Sequence, residues 1–164
     1  MSAKNRKRRS KAGSKSQLML ANRVRIICVL LSVCGLILSV VLTSGYYTHV
    51  VGGQATGCAI NSYVDCDRVS SSAFSAIAGI PISAIGFGLH LLLATLMTFG
   101  MVAKSADART AAAGFVLLLA AAAALISVVL AIISLAIIQA LCVYCSLLQL
   151  VNIAIFVLLL TQVK

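Results

Sequence analysis

Residues 110–160 read TAAAGFVLLLAAAAALISVVLAIISLAIIQALCVYCSLLQLVNIAIFVLLL, a stretch without a charged side chain. Its first part, Thr110 to Ala140, has no Pro and no Gly after Gly114. It is longer than one membrane span and too short for two with a turn, so one tilted or protruding helix is the economical reading; a span needs about 20 residues. Ala111 to Ala113 and Ala120 to Ala124 offer small contact surfaces and no chemistry. A further helix opens near Cys142-Val-Tyr-Cys145 and runs to about Leu160, carrying Gln149 and Asn152. The whole chain agrees: 62% hydrophobic and 10% charged residues with a mean hydropathy of +1.11 lie outside the globular range. Such a composition specifies an integral membrane protein.

Two more spans lie upstream. Ile26 to about Thr43 is too long for a signal-peptide core of roughly 7 to 15 residues, so it reads as a retained helix. Cys28 and Cys34 sit within it, six apart and on different faces, as inert small hydrophobes in a helix interface. The next span, about Ile82 to Ala103, follows Gly79-Ile80-Pro81, with Pro81 placed where a missing N–H costs least. Gly86 and Gly88 permit close helix approach. His90 is mid-span and without an acidic partner, so a hydrogen bond to neighbouring backbone is its expected role. His49, beside Tyr46 and Tyr47, reads as membrane-interface trim.

The expected architecture is all-α: a four-transmembrane-helix bundle with helices at about 24–44, 82–103, 112–140 and 142–162. Residues 1–22 form a basic tail, and 23–164 a single membrane domain. The tail holds Lys4, Arg6, Lys7, Arg8, Arg9, Lys11 and Lys15 among small residues, with no aromatics for base stacking. It reads as an unstructured anchor on anionic headgroups rather than a nucleic-acid arm. The connection 45–81 is too polar to cross a bilayer. Within it, Phe74, Ile77 and Ala78 at helical spacing suggest a short amphipathic half-helix over the bundle mouth, capped by Ser70 or Ser71.

Four spans put both termini and the Lys104–Arg109 turn on one side of the membrane. Twelve of the 13 Lys and Arg fall there and only Arg68 on the other, so the termini are expected to be cytoplasmic and the 45–81 loop exoplasmic. Cys58, Cys66, Cys142 and Cys145 then all face the compartment where disulfides persist. At a helix start the dipole favours a thiolate, so Cys142 is expected to be the more acidic of its pair, with Cys145 one turn deeper. A mobile loop pair and a fixed pair at the membrane surface make a relay: a soluble dithiol reduces Cys58–Cys66, the loop reduces Cys142–Cys145, and a quinone receives the electrons. Two alternatives stay open on residues alone. The cysteines could be static staples in a non-catalytic four-helix membrane protein, or a four-cysteine zinc site; the latter is disfavoured because the close spacing occurs once.

The joint pattern resembles the vitamin K epoxide reductase family, including its bacterial disulfide-forming homologues. The matching elements are the basic N-terminus, the loop pair Cys58 and Cys66 followed by Ser72, a helix opening Gly-Ile-Pro, and Cys142-Val-Tyr-Cys145 with Asn152 behind it. The resemblance covers about residues 22–162. It implies a bundle around a quinone, either ubiquinone, menaquinone or vitamin K, without a metal. It further implies that Cys58 exchanges with a thioredoxin-like partner, Cys66 bonds transiently to Cys142, and Cys145 contacts the quinone. Ser72, Gln149 and Asn152 are the further candidates for quinone contact. Vertebrate members have Tyr where Gln149 stands and an Asn near the start of the second span, whereas no Asn lies between Asn61 and Asn152 here. Those departures favour quinone-linked disulfide formation over reduction of vitamin K or its epoxide, and a bacterial inner membrane over the endoplasmic reticulum. No thioredoxin-like domain lies within these 164 residues, so a separate partner is expected.

Overall fold

A computed structural model of the chain describes the backbone of residues 3–162 and the side chains of residues 22–162. Helix α1 spans Ala3–Tyr46 and continues as a π-helical turn, Tyr47–Val51. The basic tail, expected to be unstructured, thus enters the helix bounds from Ala3; its side chains lie outside the described residues. Helix α2, Cys66–Ser70, is the half-helix of the loop. Strands β1, Ala76–Ile77, and β2, Ile80–Pro81, form a minimal hairpin before α3, Ile82–Val102. Helix α4, Ala106–Ile132, extends through a π-helical turn, Ile133–Ile138, and α5 spans Val143–Leu160.

Among the described residues, four segments are long and apolar enough to cross a membrane: Asn22–Val51, Ile82–Val102, Ala106–Ile138 and Val143–Leu160. In hydrocarbon every backbone polar group must be satisfied within its own helix, which is why these runs are helical throughout. Helix α1 packs on α3 and α5, and α4 packs on the same two, so the spans close a ring of four. Outward-facing Leu30, Ile37, Leu118, Leu125 and Leu150 remain exposed, as a lipid-solvated surface requires. Between helices the contacts are small or compact: Ala112, Ala120, Ala123 and Ala124 are buried on α4.

The bundle is solid at one end and hollow at the other. Val24, Cys28, Leu93, Met97, Val116, Ala120 and Ile155 form the core at the end away from the loop. Towards the loop, the space between the helices opens into a cavity. Cys28 belongs to the core while Cys34 is exposed, so only the first lies in a helix interface. His90 is fully buried against Gly35, where a Cβ would collide with its ring. The expected hydrogen bond to backbone is absent: neither ring nitrogen has a partner. Gly86 faces Ser39 and Leu148, whereas Gly88 meets open space.

The half-helix differs from expectation in position. Asp65 caps it at Cys66, accepting Arg68 N–H at 3.0 Å, so the helix starts before the serine run. Ser71, Ser72 and Ser75 then turn their hydroxyls onto the carbonyls of Asp67, Val69 and Ser72, which diverts the backbone from further helix. Ala78 and Gly79, with φ of 51° and 81°, supply the two left-handed positions of a tight hairpin turn pairing Ile77 with Ile80. Pro81 follows as the N-cap of α3. Ser105 caps α4 by accepting Ala108 N–H at 3.2 Å, so Ala106 to Arg109 are already helical.

Candidate active site

Cys58 and Cys66 are joined by a disulfide, with their Cα atoms 5.4 Å apart. Cys66 is buried at the first position of α2, and Cys58 is half-buried in the preceding arm. Asn61 shapes the chain between them. Its Oδ1 accepts the N–H groups of Tyr63 at 2.9 Å and Val64 at 2.8 Å, a side-chain turn that folds the loop back. Val64 thereby pairs with Leu141 in a parallel backbone bridge. Leu141 N–H donates to Tyr63 O at 2.7 Å, and Asp65 N–H donates to Leu141 O at 3.0 Å. Bridged backbones lie about 4.8 Å apart. The bridge therefore starts α2, which opens on Cys66, beside α5, whose N-cap is Cys142.

Cys142 and Cys145 are free thiols. Cys142 is buried, and its sulfur accepts Cys145 N–H at 3.2 Å in the capping position of α5. A hydrogen bond from the Cys145 thiol holds the Cys142 thiol below its ordinary range; it outweighs burial, with the N–H groups of Cys145 and Tyr144 adding to it. The expected order of acidity rests on this geometry: Cys142 sits at unpaired helix N–H groups, and Cys145 lies one turn inward. Ser146 returns both its N–H and its hydroxyl to Cys142 O at 2.9 Å, fixing the first turn.

Cys145 lines a cavity of about 190 Å³ at the hollow end of the bundle. Its walls are mainly apolar, from Leu42 on α1, Ile82 and Leu89 on α3, Leu130 on α4, Leu148 on α5, and Phe74 from the loop. Ser72, Gln149 and Asn152, the residues singled out in the sequence, line it together with Cys145. Ser72 donates its hydroxyl to Val69 O at 2.7 Å. Asn152 Nδ2 donates to Ser127 Oγ at 2.9 Å, while its buried Oδ1 has no partner. A buried amide oxygen without a partner, on a residue that lines an apolar cavity, suits a ligand with an apolar body and an O–H group. A quinone in its reduced form meets both requirements, so the residues present fit that class of acceptor.

The structure thus gathers both cysteine pairs, Ser72, Gln149 and Asn152 at one end of the bundle. Four participants were not singled out in the sequence. Ser127 sits among large apolar residues, Leu125-Ile126 before it and Val128-Val129 after it, Val64 and Leu141 are ordinary apolar residues, and Asp67 holds Thr56 beside the disulfide. His49, expected as interface trim, has its Nδ1 3.0 Å from Gln54 O and 3.9 Å from Asp67 Oδ1.

No curated protein matches the chain significantly. Residues 26–160 do match a family model, that of the Vitamin K epoxide reductase family, whose members are membrane thiol–disulfide oxidoreductases linked in general to quinones. That match runs from the first span through the last and takes in both cysteine pairs, in a four-helix structure that places the pairs side by side. The chain belongs to the Vitamin K epoxide reductase family.

Proposed function

We propose that the protein is a quinone-dependent thiol oxidoreductase that takes electrons from a separate thioredoxin-like partner and thereby supports disulfide formation. The observation that carries this reading is the Val64–Leu141 bridge, which sets the loop pair against the pair at the start of α5. In this reading residues 23–164 act as one catalytic membrane domain, with the basic termini cytoplasmic and the loop exoplasmic, as the single basic residue of the loop, Arg68, supports.

The partner's dithiol reduces Cys58–Cys66, its first thiolate attacking the more exposed Cys58 sulfur and its second resolving the mixed disulfide. The Cys66 thiolate then attacks Cys142 Sγ in an oxidised Cys142–Cys145 pair, and Cys145 leaves. Cys58 attacks Cys66 Sγ, the loop disulfide closes again, and Cys142 leaves. Two electrons and two protons have moved from the partner to the α5 pair. A bound quinone supplies an acceptor of two electrons and two protons. Cys145 faces the cavity that would hold it, Ser72, Gln149 and Asn152 orient the ring, and the apolar walls exclude water. Cys142, favoured as thiolate, closes the bond to Cys145 as the pair is re-oxidised.

The test is quinone absorbance followed with purified protein and a reduced thioredoxin-fold protein. Turnover that disappears in Cys145→Ala is expected. Absence of turnover with several partners, or a Cys145→Ala variant equal to the parent, overturns the reading.

A further inference from the structure

Asp67 follows Cys66 directly and is buried, and its carboxylate holds a different segment of chain. Thr56 donates its backbone N–H to Oδ1 at 3.3 Å and Oδ2 at 3.2 Å, and donates its hydroxyl to Oδ1 as well. His49 approaches the same oxygen to 3.9 Å from the π-helical turn after α1. Three segments therefore meet at one carboxylate beside the disulfide. Thr56 lies two residues before Cys58 and Asp67 one after Cys66, so this contact closes nearly the same loop as the sulfur–sulfur bond, without a covalent link.

The exchange chemistry gives that duplication a use. While Cys66 is bonded to Cys142, nothing covalent keeps Cys58 near. On the side before Cys58 the arm has glycines in left-handed conformation at Gly53 and Gly57, φ 68° and 76°, and there Thr56 is its link to α2; on the side after Cys58, Ile60 and Asn61 N–H donate to Val64 O. Cys58 must nevertheless return to attack Cys66. We propose that Asp67 is a positioning residue that tethers the Cys58 arm to α2 through Thr56, keeping Cys58 at high effective concentration when the loop disulfide is open. The principle is that of any intramolecular reaction: holding two groups close raises the rate and the equilibrium constant for bond formation. Its part in turnover rests on the relay proposed above, whereas its effect on the loop disulfide does not.

The experiment equilibrates the purified full-length protein in dithiothreitol redox buffers and measures the Cys58–Cys66 fraction by alkylation and peptide mass. Asp67→Ala is expected to lower the equilibrium constant for disulfide closure about tenfold, a potential higher by ~30 mV. Thr56→Val, which keeps the N–H and loses the hydroxyl, gives a smaller shift in the same direction, and the double variant is no worse than Asp67→Ala. Unchanged potentials in both single variants overturn the tether; the milder Thr56→Val decides the matter if Asp67→Ala fails to fold. In turnover with a reduced thioredoxin-fold protein, Asp67→Ala should accumulate Cys66–Cys142 linkage. A shifted potential without that accumulation retains the tether and contradicts the relay.

Discussion

Leu141 and Val64 lie 77 positions apart in the chain and meet in a parallel backbone bridge. Leu141 donates to the residue before Val64 at 2.7 Å and accepts from the residue after it at 3.0 Å. Because the bridge uses main-chain groups, side-chain identity at either position matters little, whereas loss of the Leu141 N–H matters a great deal. The bridge sets how α2 approaches α5, and with it how Cys66 approaches Cys142.

Leu141→Pro removes that N–H. It should reduce the rate of exchange between the loop pair and the α5 pair by about tenfold or more, the scale expected when reacting groups are displaced by about 1 Å. Leu141→Ala keeps the N–H and should retain most of the rate. Rapid-quench alkylation of Cys142 after reduction of the loop measures both.

Cys142 is held below its ordinary thiol range by its hydrogen bond with Cys145. A thiol with a depressed pKa stays thiolate to lower pH, and its reactivity fades only as pH falls through that lowered value. Alkylation of Cys142 by a small reagent should therefore persist to more acidic pH than that of a free cysteine. Cys145→Ala removes the thiol's bond and leaves the two N–H donors against burial, which acts in the opposite direction, so the pH profile should move upward and the rate at neutral pH fall, by up to about tenfold. Peptide-resolved mass spectrometry reads the profile.

Ser127 and Asn152 tie α4 to α5 at the cavity wall. Ser127→Ala leaves the Asn152 amide without its one partner. Interhelical hydrogen bonds in membranes are worth about 0.6 kcal/mol on average, so the loss in stability should be modest. Asn152 also lines the cavity, so with the amide freed of its anchor KM for quinone should rise about tenfold while the partner-dependent step is unchanged. Steady-state kinetics with varied quinone separates the two.

Gly35 admits the His90 ring between α1 and α3. Gly35→Ala forces the two apart and should cost about 1–3 kcal/mol in detergent unfolding. His90 has no hydrogen-bond partner to lose, so His90→Leu should leave stability equal or higher and turnover intact. In a His90→Ala background the cost of Gly35→Ala should largely vanish, which a double-mutant cycle detects.

Much of the fold is legible in the sequence because each span is a sum over about 20 apolar residues, and a sum of that kind tolerates local error. Both cysteine pairs stand out by their spacing. The loop is another matter. Its helix starts at Cys66 because Asp65 caps it, and it stops because three serine hydroxyls take backbone carbonyls; competing local bonds of this kind leave no periodic trace. The Val64–Leu141 bridge and the Thr56–Asp67 contact join residues whose types announce nothing. Ser127 is hidden in an apolar span for the same reason: its role exists only opposite Asn152.

The central claim is that Cys66 passes between Cys58 and Cys142. It is tested most directly by isolating full-length Cys58→Ser and Cys145→Ser variants from cells, blocking free thiols at once, and identifying disulfide-linked peptides by mass. A Cys66–Cys142 linkage is expected in Cys58→Ser, which lacks the thiol that releases Cys142; in Cys145→Ser, Cys58 is present to release Cys142, so the Cys58–Cys66 disulfide should predominate. Cys66 and Cys142 unlinked in Cys58→Ser, with the parent's two pairs inert to a reduced thioredoxin-fold protein, would contradict it.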